Sequence, residues 1–196
     1  AEFKRLVHAL HCQGIRVIMD VVYNHTYATA DSPFNKIFNK YYYRLWGENG
    51  EYFSNGSGCG NEIATERFMV RKYIIDSLVY WATEYKIDGF RFDLMGLYDI
   101  ETMNKIDKTL HAINPDIILY GEGWIGGDSP LADSKRAMKL NARHTPNIAF
   151  FSDDFRDTIK GNNFENRSRG YVNGATGSEE YVKEVMCGRI PHPQIP

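Results

Sequence analysis

The sequence predicts an α/β fold built on a parallel sheet, and three observations support this. Short apolar runs of strand length alternate with stretches of helical periodicity. The first run, RVIMDVV (16–22), leaves only Asp20 polar between Val17 and Val22, the mark of a strand buried on both faces. Three of the runs end in acidic or imidazole residues, at the position where parallel α/β folds place their chemistry. Strands separated by helices pair in parallel through right-handed crossovers. The residues alone leave two architectures open, a doubly wound open sheet and a β/α barrel.

Each element can be read in order. EFKRLVHALHC (2–12) is the end of an amphipathic helix, with Gly14 as its stop. The strand at 16–22 follows. Residues 26–65 read as irregular, with aromatic clusters and a closing Gly-rich loop, SNGSGCGNE (54–62). A connection of roughly 40 residues between a strand and its helix far exceeds the usual 2–6. Barrel enzymes build substrate surface from such loops, while a structural insertion is the plainer reading. ERFMVRKYIIDSLVYWATEYK (66–86) is a helix with Val70, Ile74, Leu78, Ala82 and Tyr85 on one face. Then come a strand at 88–94 (DGFRFDL), a helix at about 100–113 and a strand at 117–122 (IILYGE). A partly helical stretch leads to a strand at 148–152 and a short helix at about 154–160. The tail from 161 is rich in Gly and Asn and closes with IPHPQIP. No repeat and no internal domain boundary is visible.

Composition narrows the function classes. Of 196 residues, 43% are hydrophobic and 24% charged, which is ordinary for a globular chain. With 23 basic and 25 acidic residues the net charge is −2, without the basic excess of a nucleic-acid binder. No apolar run approaches the roughly 20 residues that span a bilayer, so no membrane partner is expected. The opening AEFKRLVHAL lacks a signal-peptide pattern, and no compartment is assigned. Cys12, Cys59 and Cys187 form no C-x-x-C pair and are expected as free thiols. Aromatics reach 14%, which suits either core packing or a sugar-stacking surface.

The candidate site comes from the strand ends. The first strand runs into Asp20-Val21-Val22-Tyr23-Asn24-His25, the second ends Arg91-Phe92-Asp93, and the third ends Gly121-Glu122-Gly123-Trp124. Charges in a buried strand are costly unless paired or facing a wet cavity. Arg91 and Asp93 stand two apart, so they share a side, while Phe90 and Phe92 point to the other, where helices pack. Asp93 and Glu122 stand about one βα unit apart. On adjacent strands their carboxyls would lie close to the separation a retaining glycosidase needs, about 5–5.5 Å. Arg91 would hold Asp93 ionised as a nucleophile, and an apolar wall at Trp124 would keep Glu122 protonated as an acid. A structural ion pair is the bland alternative for Asp93, and a loop or capping role for His25. A metal-dependent hydrolase could use Asp20, His25, Asp93 and Glu122. The chain has no H-x-H or H-E-x-x-H pair, so no metal site is assigned.

These segments resemble the α-amylase superfamily of glycoside hydrolases. DVVYNHT (20–26), GFRFDLMGL (89–97) and YGEGW (120–124) look like three of its ordered sequence regions. YYYR (41–44), SNGSGCGNE (54–62) and VRKYIIDSLVYWATEYKIDGFRFDLMG (70–96) are similar to its type I debranching subfamily, as are FFSDDFRDTIKG (150–161), GYVNG and GSEEYVKEVMCG. The resemblance implies a partial (β/α)8 barrel, about strands three to six, with residues 1–196 forming the central part of one catalytic domain. It implies retaining hydrolysis of α-1,6 branch linkages in pullulan, amylopectin or glycogen-like α-glucans, with no cofactor. Asp93 would be the nucleophile and Glu122 the acid/base. Arg91 would orient Asp93, and His25, with Trp124 and Asn24, would contact the sugar or shape its loop. Asp20 would support Arg91.

Two departures accompany it. No His-Asp-Asn motif for a third carboxylate follows Glu122, where His144 is followed by Thr145 and Pro146, and the YNWGYDP motif is absent. The chain therefore reads as an internal piece, expected to be inactive alone. A smaller departure is Glu62, where the subfamily commonly has Asp. The alternatives are an isoamylase, a glycogen debranching or branching enzyme, or a non-catalytic glucan-binding relic.

Overall fold

The computed structural model describes residues 1–163 and 165–186. Cys187 and the IPHPQIP segment lie outside the described residues. The described residues fall into two compact units, one of residues 1–150 and one that begins at residue 151.

The first unit opens with helix α1 (Glu2–Cys12). Gly14 follows at φ +71°, a left-handed conformation that turns the chain into strand β1 (Ile18–Val21). The long connection then contains a short helix, α2 (Pro33–Ile37), and a hairpin of β2 (Leu45–Trp46) and β3 (Tyr52–Phe53). Ser32 caps α2 by accepting from the Asn35 amide at 3.1 Å, and Pro33 takes the first helical turn, where its missing N–H costs nothing. Helix α3 (Phe68–Glu84) leads to β4 (Gly89–Phe92). Helix α4 (Ile100–Ile113) starts at Asp99, whose carboxylate accepts from the Thr102 amide at 2.9 Å. Strands β5 (Ile118–Gly121) and β6 (Ala149–Phe150) complete a four-stranded parallel sheet of order β1-β4-β5-β6.

Alternation along β4 builds the core. Phe90 and Phe92 are fully buried against Val70, Ile74 and Leu78 of α3 and Met103, Ile106 and Leu110 of α4. Arg91 points the opposite way, toward the carboxylates described below. β1 corrects one expectation. It is only partly buried, with Asp20 exposed and Val22 just beyond it at 50% exposure, because among the described residues it has a strand neighbour on one side only.

Most rings of the long connection hold it in place. Tyr43 is fully buried, and its hydroxyl donates to Ser32 Oγ at 2.6 Å; Tyr42 stacks on Phe34 with centroids 4.8 Å apart. Trp46 and Tyr52, cross-strand partners in the hairpin, are exposed instead. The second unit holds α5 (Asp153–Lys160) and α6 (Glu179–Met186), which pack on each other. The Gly- and Asn-rich tail thus contains a helix that composition did not suggest.

Phe92→Ala is expected to lower unfolding stability by about 3–5 kcal/mol, since it empties the centre of the sheet–helix interface. Ile37→Ala, at 73% exposure, should stay within about 0.5 kcal/mol in the same urea titration.

Candidate active site

Parallel register brings the predicted residues together. Asp20 pairs with Arg91 across β1 and β4, and Phe92 pairs with Gly121 across β4 and β5. The ladder continues one residue further, as Asp93 N–H donates to Val21 O at 3.1 Å and Glu122 N–H to Phe92 O at 3.1 Å. Asp93 and Glu122 therefore leave adjacent strands at the same level.

Arg91 sits among three carboxylates. Its Nη1 donates to Asp20 Oδ1 at 2.8 Å and to Asp93 Oδ1 at 3.0 Å, and its Nη2 donates to Glu122 Oε1 at 2.5 Å. The rigid guanidinium limits these Asp93 and Glu122 oxygens to a separation of at most about 8 Å, within the range of glycosidase carboxyl pairs. Burial alone would lower the Arg91 pKa. Hydrogen bonds to Asp20 and Asp93 and the nearby Glu122 charge outweigh it and raise the guanidinium above its ordinary value. Side-chain exposures of 17% for Arg91, 27% for Asp93 and 18% for Glu122 keep the cluster reachable from solvent, while Asp20 is 64% exposed.

Asn24 links the other predicted residue to Asp93. Fully buried, it donates through Nδ2 to the Asp93 carbonyl at 2.7 Å and to Asp93 Oδ2 at 3.0 Å. Its amide oxygen can only accept, so His25 Nδ1, 2.5 Å away, carries the proton of that bond, and Nε2 is the ring atom left for a ligand. Glu122 is held differently from expectation. Rather than an apolar wall, the partners of its carboxyl are Arg91 and the Leu94 N–H, which donates to Oε2 at 3.0 Å. Trp124, half-buried, follows on the loop after β5.

Tyr98 was not legible as a site residue. It is fully buried, and its hydroxyl accepts from the Tyr23 N–H at 3.0 Å at the start of the His25 loop. Burial pushes its phenol far above the usual range, so it remains a neutral prop. No periodicity marks it, because its partner lies 75 residues away. A cavity of about 1050 Å³ lies elsewhere, between Arg44, Asp99, Lys105, Leu131 and Lys135. Among the described residues no group of three or more His, Cys, Asp and Glu side chains has metal-binding geometry.

The comparisons with known proteins bear on this arrangement directly. No family model matches the chain. Pullulanase of Bacillus subtilis (strain 168) is 44% identical over 187 residues, covering 95% of this chain and 25% of that protein. The crystal structure of pullulanase from Paenibacillus barengoltzii in complex with maltohexaose and α-cyclodextrin superposes with a TM-score of 0.91 at 47% identity, covering 96% of this chain and 29% of that one. Isoamylase 3, chloroplastic, of Oryza sativa subsp. japonica is 47% identical over only 98 residues, 47% of this chain and 12% of that protein. The site geometry sits on a pullulanase-type α/β fold. By sequence and structure the chain groups with the pullulanases, as a segment spanning between 14% and 29% of their length.

Arg91→Met would leave three carboxylates facing one another. It is expected to destabilise the chain by about 1–3 kcal/mol at neutral pH, a value discounted for partial exposure. Thermal unfolding of both proteins at neutral pH checks this.

Proposed function

We propose that the chain carries the nucleophile and the acid/base of a retaining α-glucan debranching glycosidase, acting on α-1,6 linkages of pullulan, amylopectin or glycogen-like glucans. In this reading residues 1–196 are the central part of one catalytic β/α-barrel domain. β1, β4, β5 and β6 are four consecutive barrel strands, about the third to the sixth. The observation that carries the reading is the pair of carboxyls at matched heights on adjacent strands, bridged by one arginine. The match to pullulanases over 95% of the chain supports it, against an isoamylase match over 47%.

In this reading the two carboxyls act in turn. Asp93, held by Arg91 and Asn24, attacks the anomeric carbon of the glucose at the branch point. Glu122 gives a proton to the departing O6 oxygen, and the bond to the leaving chain breaks as the bond to Asp93 forms. Glu122, now a carboxylate, then takes a proton from water, whose oxygen displaces Asp93 with retention. His25 Nε2 and Trp124 contact the bound sugar, one by a hydrogen bond and the other by its apolar ring face. Asp20 keeps Arg91 in place. The exposed pair Trp46 and Tyr52 offers a further sugar-stacking surface.

The decisive assay is reducing-end release from pullulan. A polypeptide of the relatives' length carrying this segment should turn over, and Asp93→Asn should lower kcat by at least about a thousandfold. Residues 1–196 alone should show no useful turnover, because no His-Asp-Asn motif follows Glu122 within them and a partial barrel leaves open sheet edges. Turnover by the short chain, abolished by Asp93→Asn, would contradict the partial-barrel reading. Trp46→Ala with Tyr52→Ala should weaken retention on immobilised amylopectin without changing kcat; unchanged retention would remove these rings from the substrate surface.

A further inference from the structure

Arg44 and Glu62 stand outside the carboxylate cluster, and the reading above gives them no role. Both are buried, at 2% and 0% exposure. Arg44 Nη1 donates to Glu62 Oε1. The same oxygen accepts from Ser129 Oγ at 2.5 Å, and Oε2 accepts from Ser54 Oγ at 2.6 Å. Arg44 also donates to the Leu97 carbonyl at 2.7 Å, to Thr65 Oγ1 at 3.0 Å, and to Glu66 Oε2 at 2.9 and 3.0 Å. A buried ion pair seldom adds net stability over well-packed apolar residues, so its effect is better sought in the geometry it imposes.

That geometry concerns the three loops leaving the strand ends. Arg44, Ser54 and Glu62 belong to the long loop after β1, which also carries His25. Leu97 ends the turn after β4, and Ser129 lies in the loop that begins at Glu122. One carboxylate–guanidinium pair therefore ties together the loops of all the proposed site residues.

Leu94 shows how the tie reaches Glu122. It has φ +39°, a left-handed conformation unusual for a branched residue. It opens the tight turn closed by Leu97 N–H donating to Leu94 O at 2.9 Å, and its own N–H donates to Glu122 Oε2. Arg44 grips the far end of this turn at the Leu97 carbonyl. In between, Gly96 N–H donates to Glu122 O at 3.0 Å, and a Cβ on Gly96 would lie 2.4 Å from Trp124 O. Turn and loop are pressed together with no slack, so a shift at Leu97 is passed to the Leu94 N–H and to the Glu122 carboxyl.

We propose that Arg44 and Glu62 are positioning residues for the acid/base: they hold the Leu94–Leu97 turn and the loop after β5 in the register that aims Glu122 at the leaving oxygen. The proposal rests on the debranching reading for the role of Glu122. It predicts an effect on proton donation rather than on attack by Asp93.

The test separates those two steps by leaving group. Pullulan needs a proton on the departing oxygen, whereas the fluoride of α-maltosyl fluoride departs without one. In the full polypeptide carrying this segment, Glu62→Gln should lower kcat on pullulan by about tenfold or more with KM within about twofold. On α-maltosyl fluoride the rate of the first-turnover fluoride burst, the one step that needs neither acid nor base from Glu122, should change by less than about threefold, and Glu62→Asp, which keeps the charge, should restore most of the pullulan rate. Equal losses on both substrates, or no loss on either, would overturn the proposal. If Glu62→Gln does not fold, Ser54→Ala and Ser129→Ala each remove one hydroxyl from the same carboxylate and should show the same split at smaller size. The Asp93→Asn variant is the control for the underlying reading. It should lose both activities, and if it kept them the debranching reading would fail independently of Glu62.

Discussion

The site depends on one guanidinium. Arg91 meets Asp20, Asp93 and Glu122 at 2.8, 3.0 and 2.5 Å. Without a cation between them, three carboxylates this close would repel one another, and desolvation would add to the cost. The arginine can occupy this position only because it stands on a strand whose other face is fully buried. Phe90 and Phe92 anchor β4 in the core, and alternation then leaves Arg91 no direction but the sheet's opposite side. A hydrophobic requirement on one face thereby sets an electrostatic arrangement on the other.

Parallel register does the rest. Because β1, β4 and β5 run in the same direction and are paired without offset at their ends, the three loops that follow them start from one rim. Short helices and turns then lock those loops to each other. Asn24 joins the first to Asp93, Leu94 joins the second to Glu122, and the Arg44–Glu62 pair joins all three. The long connection after β1 is thus not slack chain. Its buried tyrosine, capped helix and hairpin give it internal order, and Trp46 and Tyr52 of the hairpin are among its exposed rings.

How much of this was legible in the sequence follows from the range of the forces involved. Helix α4 matches its expected bounds, and α3 differs by two residues at each end, because their apolar periodicity is a local signal. The cluster of Asp20, Arg91, Asp93 and Glu122 was legible because charges at the ends of apolar runs have few other places to go. Helix α2 and the β2–β3 hairpin were missed. They have five residues or fewer per element, too short to show a period, and depend on tertiary partners. The half-burial of β1 was missed because residue type cannot say how many neighbours a strand has. The partners of Glu122 were misjudged for a related reason: a backbone N–H held by a left-handed leucine leaves no trace in composition.

The claim that everything else serves is that Asp93 forms the covalent bond to the sugar. It is tested most directly in the full polypeptide bearing Glu122→Gln, where α-maltosyl fluoride can load the nucleophile but deglycosylation lacks its base. Peptide mass spectrometry after rapid acid quenching should find a maltosyl adduct on Asp93. An adduct on another residue, or no adduct together with a first-formed product of inverted configuration, would contradict the account.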